Sequence, residues 1–174
     1  MHQRRLPPFP NLGSFLSYLK THDALRTVTA PVAMRLELTE LHRRVIATAG
    51  PALRLTAALA DDGGVARLPV VTNLFGTTER VAWGLGTDPE GLESLGELFA
   101  WMRAPQPPRS LREVRRLWPV ARTALQARPR IVAAPREWRD GAADFSQLPV
   151  QTCWPGDAGP LITWPLVITR SPGV

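Results

Sequence analysis

Residues 151–170 of the chain read QTCWPGDAGPLITWPLVITR, and this stretch decides how the rest of the sequence is interpreted. A polar loop with repeated Pro and Gly leads into an apolar run from Leu161 to Thr169. The β-branched and aromatic residues of this run predict a strand, and Pro165 predicts that the strand lies at an edge or carries a bulge. A new β-structure is therefore expected to begin here.

Upstream of this stretch, helical and strand patterns alternate loosely. Apolar residues at helical spacing and suitable N-caps predict helices that begin at Asn11, before Leu38, at Thr77 or Thr78, at Asp88-Pro89 and at Ser110. Alternating or apolar runs predict strands at Leu25–Val28, Ala52–Leu59 and Leu68–Thr72. Gly50-Pro51 is expected to end the second helix, and Asp61–Gly64 to form a turn. The sequence predicts an α+β fold, in which a mixed sheet has flanking helices.

Length and composition indicate a folded protein. The chain has 174 residues, of which 44% are hydrophobic, so it is long enough for one domain or for one domain and the start of a second. The longest uncharged run near the C-terminus, Ala158–Thr169, is shorter than the roughly 20 residues that cross a bilayer. The N-terminus has no apolar segment typical of a signal peptide, so a cytoplasmic location is expected.

Few residues of the sequence are suited to catalysis or metal binding. Cys153 is the single cysteine and the histidines are His2, His22 and His42, so a cysteine zinc site and an internal disulfide are excluded. The pair Gly84 and Gly86 begins like a dinucleotide-binding motif, but Pro89 stands at the third glycine position. Neither a nucleophile–base arrangement nor a carboxylate pair is recognisable from residue spacing.

The net charge of +6 raises nucleic-acid binding as an alternative. Arginines are densest between Arg109 and Arg139, but that segment lacks the interleaved aromatic residues that stack on bases. A solvated helix face or a contact between domains is the favoured interpretation, and no nucleic-acid partner is expected.

Three sequence blocks resemble the UbiD family of decarboxylases. The first block runs from Asn11 to Leu53 and contains LELTEL at 36–41 and GPAL at 50–53, which are similar to the family's "L-E-I-T-E-I" helix and "G-G-P-A-L". The second block, PVVTNLFGTTERVA at 69–82, is similar to "P-V-x-x-N-L-F-G-T-x-x-R-V-A". The third block, residues 148–170, is similar to "I-P-x-x-T-C-W-P-x-D-A-x-P-L-I-T". The blocks follow the family's order and cover nearly the whole chain.

The resemblance implies a domain organisation and a cofactor. It divides the chain into an N-terminal tail (1–10), an α+β domain (11–127) and a connecting segment (128–174). That segment contains the first strand of a split β-barrel that binds flavin. The family removes CO2 non-oxidatively from aromatic or α,β-unsaturated acids with prenylated FMN, Mn2+ and K+. The resemblance further implies a homo-oligomer, a role in ubiquinone biosynthesis with 4-hydroxy-3-polyprenylbenzoate as substrate, and peripheral membrane association if the substrate is polyprenylated.

The resemblance places only three site residues in this chain. Thr163 matches a threonine that lines the cofactor pocket, and Trp164 and Pro165 are expected to form a wall of the substrate pocket. Cys153 is expected to be a small buried residue and not a nucleophile. The family's catalytic carboxylates, arginine and metal ligands would lie beyond Val174, so no catalytic residue and no metal ligand are assigned. The chain is expected to be a truncated front part that binds the cofactor weakly and is inactive alone. The alternative is a non-catalytic module that pairs with a complementary polypeptide or subunit.

Overall fold

The computed structural model describes residues 8–104, 110–112, 114, 115, 118, 145, 148–162 and 166 of the chain. The chain divides into two compact units, Met1–Leu92 with Asp144–Val174, and Glu93–Ala143. The boundaries expected at residues 10/11 and 127/128 stay predictions.

The first helix, α1 (Leu12–Thr21), begins where its N-cap predicts. Asn11 Oδ1 accepts a hydrogen bond from the Ser14 N–H at 2.9 Å, and Ser14 Oγ accepts one from the Asn11 N–H at 3.4 Å. These two bonds form a capping box, which satisfies backbone donors that a helix start otherwise leaves unpaired. Phe15 and Leu19, one turn apart, are the buried residues of the helix. The predicted N-cap at Asn11 is confirmed.

The part of the chain that the structure describes contains five short strands, namely β1 (Leu25–Val28), β2 (Val32–Ala33), β3 (Ala52–Leu55), β4 (Ala58–Leu59) and β5 (Val70–Thr72). Strands β1, β3 and β5 form one sheet in that order, with β3 parallel to β1 and antiparallel to β5. Strands β2 and β4 form a separate parallel pair. The predicted mixed sheet is confirmed for this part of the chain.

The single strand predicted at Ala52–Leu59 is wrong. The chain bends at Thr56 and Ala57, so that β3 ends in the three-stranded sheet and β4 pairs with β2. The Thr56 N–H still donates to the Val28 carbonyl at 3.0 Å, which continues the β1–β3 ladder by one bond before the bend. An apolar run shows that a segment is buried, but it does not show which neighbour each residue pairs with.

Helices cover both faces of the three-stranded sheet. The second helix, α2 (Glu37–Ala47), connects the parallel strands β1 and β3 and buries Leu38 against Leu53 and Leu55. Ala52, the neighbour of Leu53, instead packs with Phe15 and Leu19 of α1. Because successive residues of a strand face opposite sides, α1 and α2 lie on opposite faces of β3. The flanking helices predicted from the sequence are therefore confirmed.

Two further helices are α3 (Thr78–Gly84) and α4 (Pro89–Arg103). Both begin at predicted caps, since Thr77 Oγ1 accepts from the Arg80 N–H at 3.3 Å and Asp88 Oδ1 from the Gly91 N–H at 2.8 Å. For the helix predicted to begin at Ser110, the described residues 111, 112, 114, 115 and 118 are helical. No helix in the described ranges is long and apolar enough to cross a membrane.

Gly96 in the middle of α4 offers a simple stability test. A Cβ added there would meet no atom within 4 Å, and its φ lies outside the left-handed region. We expect Gly96→Ala to stabilise the helix by about 0.5–1 kcal/mol, because alanine loses less backbone entropy than glycine on folding. Urea unfolding followed by circular dichroism at 222 nm measures this change. If Gly96→Ala lowered the free energy of unfolding, the conclusion that a Cβ at Gly96 meets no neighbouring atom would be wrong.

Candidate functional site

The second sequence block forms a tight turn between β5 and α3. Asn73, which is 4% exposed, has a positive φ of 55° and begins this turn. Its Nδ2 donates to the carbonyl oxygens of Gly50 and Pro51 at 2.9 and 3.0 Å. Only the amide nitrogen of this side chain can donate, so these two carbonyls fix its orientation. The NLFG segment is thereby attached to the GPAL segment of the first block.

Arg80 holds the other side of this turn. Its side chain donates from Nε to the Leu74 carbonyl and from Nη2 to the Asn73 carbonyl, both at 3.2 Å. The residue is only 4% exposed. Burial lowers the pKa of the Arg80 guanidinium, and the nearby Glu79 carboxylate acts in the opposite direction. Since its described hydrogen bonds go to backbone carbonyls, Arg80 stabilises the turn.

An open cleft of about 600 Å3 lies beside this turn, lined by Ala49, residues 75–79, Val81 and Leu92. Phe75 is 55% exposed at its rim and stacks on Phe15 with ring centroids 5.8 Å apart. Glu79 is the one acidic residue among the described residues of this lining. A lone exposed carboxylate gives the cleft no partner for acid–base chemistry.

The third block docks on the first through its TCWPGD loop (residues 152–157). The Thr152 carbonyl accepts from the Leu36 N–H at 2.9 Å, and Thr152 also forms a parallel β-bridge with Arg35. Thr152 is 1% exposed, so the start of the loop is fully inside the fold. Cys153, which follows, is half-buried, and its N–H donates to Asp157. Cys153 was predicted to be buried, and the structure shows that it is only partly buried.

Asp157 closes the TCWPGD loop. Its Oδ2 accepts from the backbone N–H groups of Cys153 and Trp154 at 3.1 and 2.9 Å, and its own N–H donates to the Trp154 carbonyl at 3.0 Å. The Leu161 N–H then donates to the Gln151 carbonyl at 3.2 Å. The two ends of the segment 151–161 are thus joined directly, as in a compact Ω-type loop.

A second cleft of about 330 Å3 lies between this segment and the sheet, lined by Leu38, residues 70–72, residues 148–151, Leu161 and Ile162. Its polar groups include Thr72 Oγ1, which lies 2.7 Å from His42 Nδ1. Among the described lining residues, Ile162 is the one that immediately precedes the first site residue predicted from the sequence.

The predicted site residues Thr163, Trp164 and Pro165 lie outside the described residues. Leu161 and Ile162, the described start of the predicted strand Leu161–Thr169, are not in a strand. The split β-barrel and its first strand therefore stay predictions. Within the described part of the chain, no three His, Cys, Asp or Glu side chains cluster as metal ligands would. The described residues therefore do not supply such a set of metal ligands.

Thr152 Oγ1 has no hydrogen-bond partner among the described atoms although it is fully buried. We expect Thr152→Val, which keeps the shape, to be neutral or to stabilise the protein by up to about 1 kcal/mol, because it removes an unsatisfied hydroxyl. Thr77→Val is the matched control and should cost about 1 kcal/mol, because it deletes the N-cap oxygen of α3. Chemical unfolding of both variants tests the contrast. A loss of stability in Thr152→Val similar to the control would show that the hydroxyl has a partner.

Comparison with known protein families identifies two consecutive matches. Residues 16–99 match the 3-octaprenyl-4-hydroxybenzoate carboxy-lyase N-terminal domain of UbiD. Residues 129–173 match the 3-octaprenyl-4-hydroxybenzoate carboxy-lyase Rift-related domain of UbiD. Together the two matches cover more than half of the chain, and they occur in the order of the three sequence blocks. The chain therefore belongs to the UbiD family of carboxy-lyases.

Proposed function

We propose that this chain supplies the N-terminal module and the first part of the cofactor domain of a decarboxylase. The enzyme would remove CO2 non-oxidatively from an aromatic or α,β-unsaturated carboxylic acid. The observation that carries this proposal is the pair of family matches, at residues 16–99 and 129–173. It is supported by the 2.9 Å hydrogen bond from the Leu36 N–H to the Thr152 carbonyl, which connects the two matched regions.

The chemistry explains why such an enzyme needs a cofactor. Breaking the bond to CO2 leaves an electron pair on an unsaturated carbon, and prenylated FMN, when bound, would supply the electron sink. In this proposal Mn2+ and K+ would bind together with the cofactor. The first substrate to test is 4-hydroxy-3-polyprenylbenzoate of ubiquinone biosynthesis. The described residues contribute the support for this site and not its reacting groups.

The residues proposed to contact the cofactor and substrate follow the anchored loop directly. Thr163 stands two positions after Leu161, whose N–H donates to the Gln151 carbonyl. We propose that the Thr163 hydroxyl forms a hydrogen bond at the cofactor or substrate edge, and that Trp164 and Pro165 wall the substrate pocket. No catalytic residue is proposed in this chain, which is expected to be inactive alone.

A fusion protein tests this function. The chain is joined to the remaining part of an active UbiD-type carboxy-lyase in place of that enzyme's own N-terminal region. We expect the fusion, loaded with prenylated FMN and Mn2+, to release CO2 from a short-chain 4-hydroxy-3-prenylbenzoate, and the 174-residue chain with the same additions to release none. A correctly folded fusion without activity on aromatic or unsaturated acids would contradict the proposal. Activity of the chain alone would overturn its expected inactivity.

Exposed apolar residues near the third block favour a second candidate function. Trp154 and Leu161 are 57% and 58% exposed, and Leu148 and Ile162 are nearly half exposed. Such residues suit a non-catalytic module that pairs with a complementary polypeptide or subunit. Light scattering tests this candidate, because a mass that rises with concentration supports pairing and a stable monomer counts against it.

The remaining properties are proposed from family membership. The active enzyme would be a cytoplasmic homo-oligomer that takes a small aromatic or unsaturated acid and no nucleic acid. Peripheral membrane association would accompany a polyprenylated substrate. Electrophoretic mobility shifts with random duplex DNA at low salt test the absence of nucleic-acid binding, because the +6 charge would favour a shift under those conditions.

A further inference from the structure

Leu36 adopts an unusual backbone conformation where the third block docks. Its φ and ψ are 63° and −43°, and the Glu37 N–H donates to the Arg35 carbonyl at 2.7 Å. This combination is a γ-turn of the positive-φ type, which is rare and strained for a residue with a side chain. The Glu37 carboxylate holds the turn from outside by accepting from the Ala33 N–H at 2.7 Å.

The strained turn has a direct consequence for the loop that follows in the third block. It presents the Leu36 N–H to the Thr152 carbonyl, and Thr152 is the fully buried first residue of the TCWPGD loop. Backbone strain persists only where its surroundings fix it, and it concentrates at sites where geometry matters. The base of the segment 151–161 is therefore fixed by the N-terminal module.

The tip of the segment is fixed in a different way. Residues 154–156 are exposed and bury no core side chain, so apolar packing does not define their shape. The Asp157 carboxylate instead binds two consecutive N–H groups, those of Cys153 and Trp154. Hydrogen bonds to a charged acceptor are stronger than neutral ones, which suits a single side chain that shapes an exposed loop.

We infer that Asp157 is a positioning residue, which shapes the TCWPGD loop so that the Leu161 N–H reaches the Gln151 carbonyl and the chain leaves the loop at Leu161 and Ile162 in one fixed direction. The γ-turn at Leu36 fixes the start of the same segment, through the Thr152 carbonyl. The part of the inference that concerns catalysis rests on the proposed function, because it requires Thr163 to face the cofactor or substrate. The part that concerns the loop does not.

Amide hydrogen exchange on the 174-residue chain tests the loop directly. We expect Asp157→Ala to accelerate exchange about tenfold or more at Cys153 and Trp154, and also at Leu161, which does not bond to Asp157. Asp157→Asn keeps an acceptor oxygen and should restore most of the protection. The matched control is Asp62→Ala, since Asp62 Oδ1 accepts from the Gly64 N–H at 2.9 Å in a turn elsewhere. Unchanged exchange at Leu161 in Asp157→Ala would overturn the inference.

The fusion protein tests the consequence for catalysis. At saturating cofactor and substrate, Asp157→Ala should lower kcat about tenfold or more with little change in the melting temperature, and Asp157→Asn should recover most of it. A kcat equal to that of the unsubstituted fusion would overturn the positioning role. An inactive unsubstituted fusion would refute the proposed function and with it the catalytic role of Asp157, while the exchange result would still decide its role in the loop.

Discussion

Replacing Asn73 by Asp is expected to destabilise this protein by about 3–5 kcal/mol, although the two side chains have nearly the same shape. The Asn73 amide nitrogen donates to the Gly50 and Pro51 carbonyls at 2.9 and 3.0 Å, in a position that is 4% exposed. An aspartate oxygen in the same place would face two carbonyl oxygens without a proton to share. The cost therefore combines two lost hydrogen bonds with a buried charge.

The loss of stability caused by Asn73→Asp should depend on pH. Burial and the two carbonyl oxygens favour the neutral acid, so the introduced carboxyl should have a folded-state pKa above its unfolded value. Such a group destabilises the fold progressively as the pH rises above its unfolded pKa, which is about 3.9. Relative to the parent protein, the variant should thus be least affected below about pH 4 and most affected at pH 7.

Urea unfolding at both pH values, with Asn11→Asp as the matched control, measures this effect. Asn11 is an exposed N-cap whose side-chain oxygen accepts from the Ser14 N–H, and aspartate caps a helix as well as asparagine does. The control should therefore change stability by less than about 0.5 kcal/mol at pH 7. Equal stability of the two variants at pH 7 would show that Asn73 does not join the first and second blocks.

These contacts also show which parts of the fold could be predicted from the sequence. The caps at Asn11, Thr77 and Asp88 depend on residues three positions away, and local patterns predicted all of them. The bonds from Asn73 join residues that are 22 and 23 positions apart. No periodicity encodes a contact of that range, so the sequence showed that the second block is distinctive without showing why.

The candidate site illustrates the same limit. Asp157 had a local signal, because Asp in a Pro/Gly loop commonly accepts from nearby backbone N–H groups. The γ-turn at Leu36 had none, since leucine has no preference for positive φ and the turn's bond to the Thr152 carbonyl joins two distant blocks of the sequence. Thr163, Trp164 and Pro165 came from family resemblance, and their roles stay predictions.

Gly76→Ala is the second substitution with a large expected effect, a loss of about 3 kcal/mol in unfolding free energy. A Cβ on Gly76 would overlap Asn73 Oδ1 and would lie 2.7 Å from Asn73 Cγ and 3.0 Å from Arg80 Nη2. The φ of Gly76 is not in the left-handed region, so the penalty is steric and not conformational. Asn73 cannot move aside without breaking its bonds to Gly50 and Pro51, and Arg80 is held by the Leu74 and Asn73 carbonyls.

Gly84→Ala separates this explanation from a general intolerance of larger residues in this region. A Cβ there would lie 2.7 Å from Phe75 Cε1, which is as short as the distance from a Gly76 Cβ to Asn73 Cγ. Phe75, however, is 55% exposed and can rotate away, with the loss only of its stacking on Phe15. Gly84→Ala should therefore cost less than about 1 kcal/mol. If thermal unfolding shows equal losses for the two variants, the rigidity assigned to Asn73 and Arg80 is wrong, because that rigidity prevents these side chains from relieving the overlap with a Gly76 Cβ.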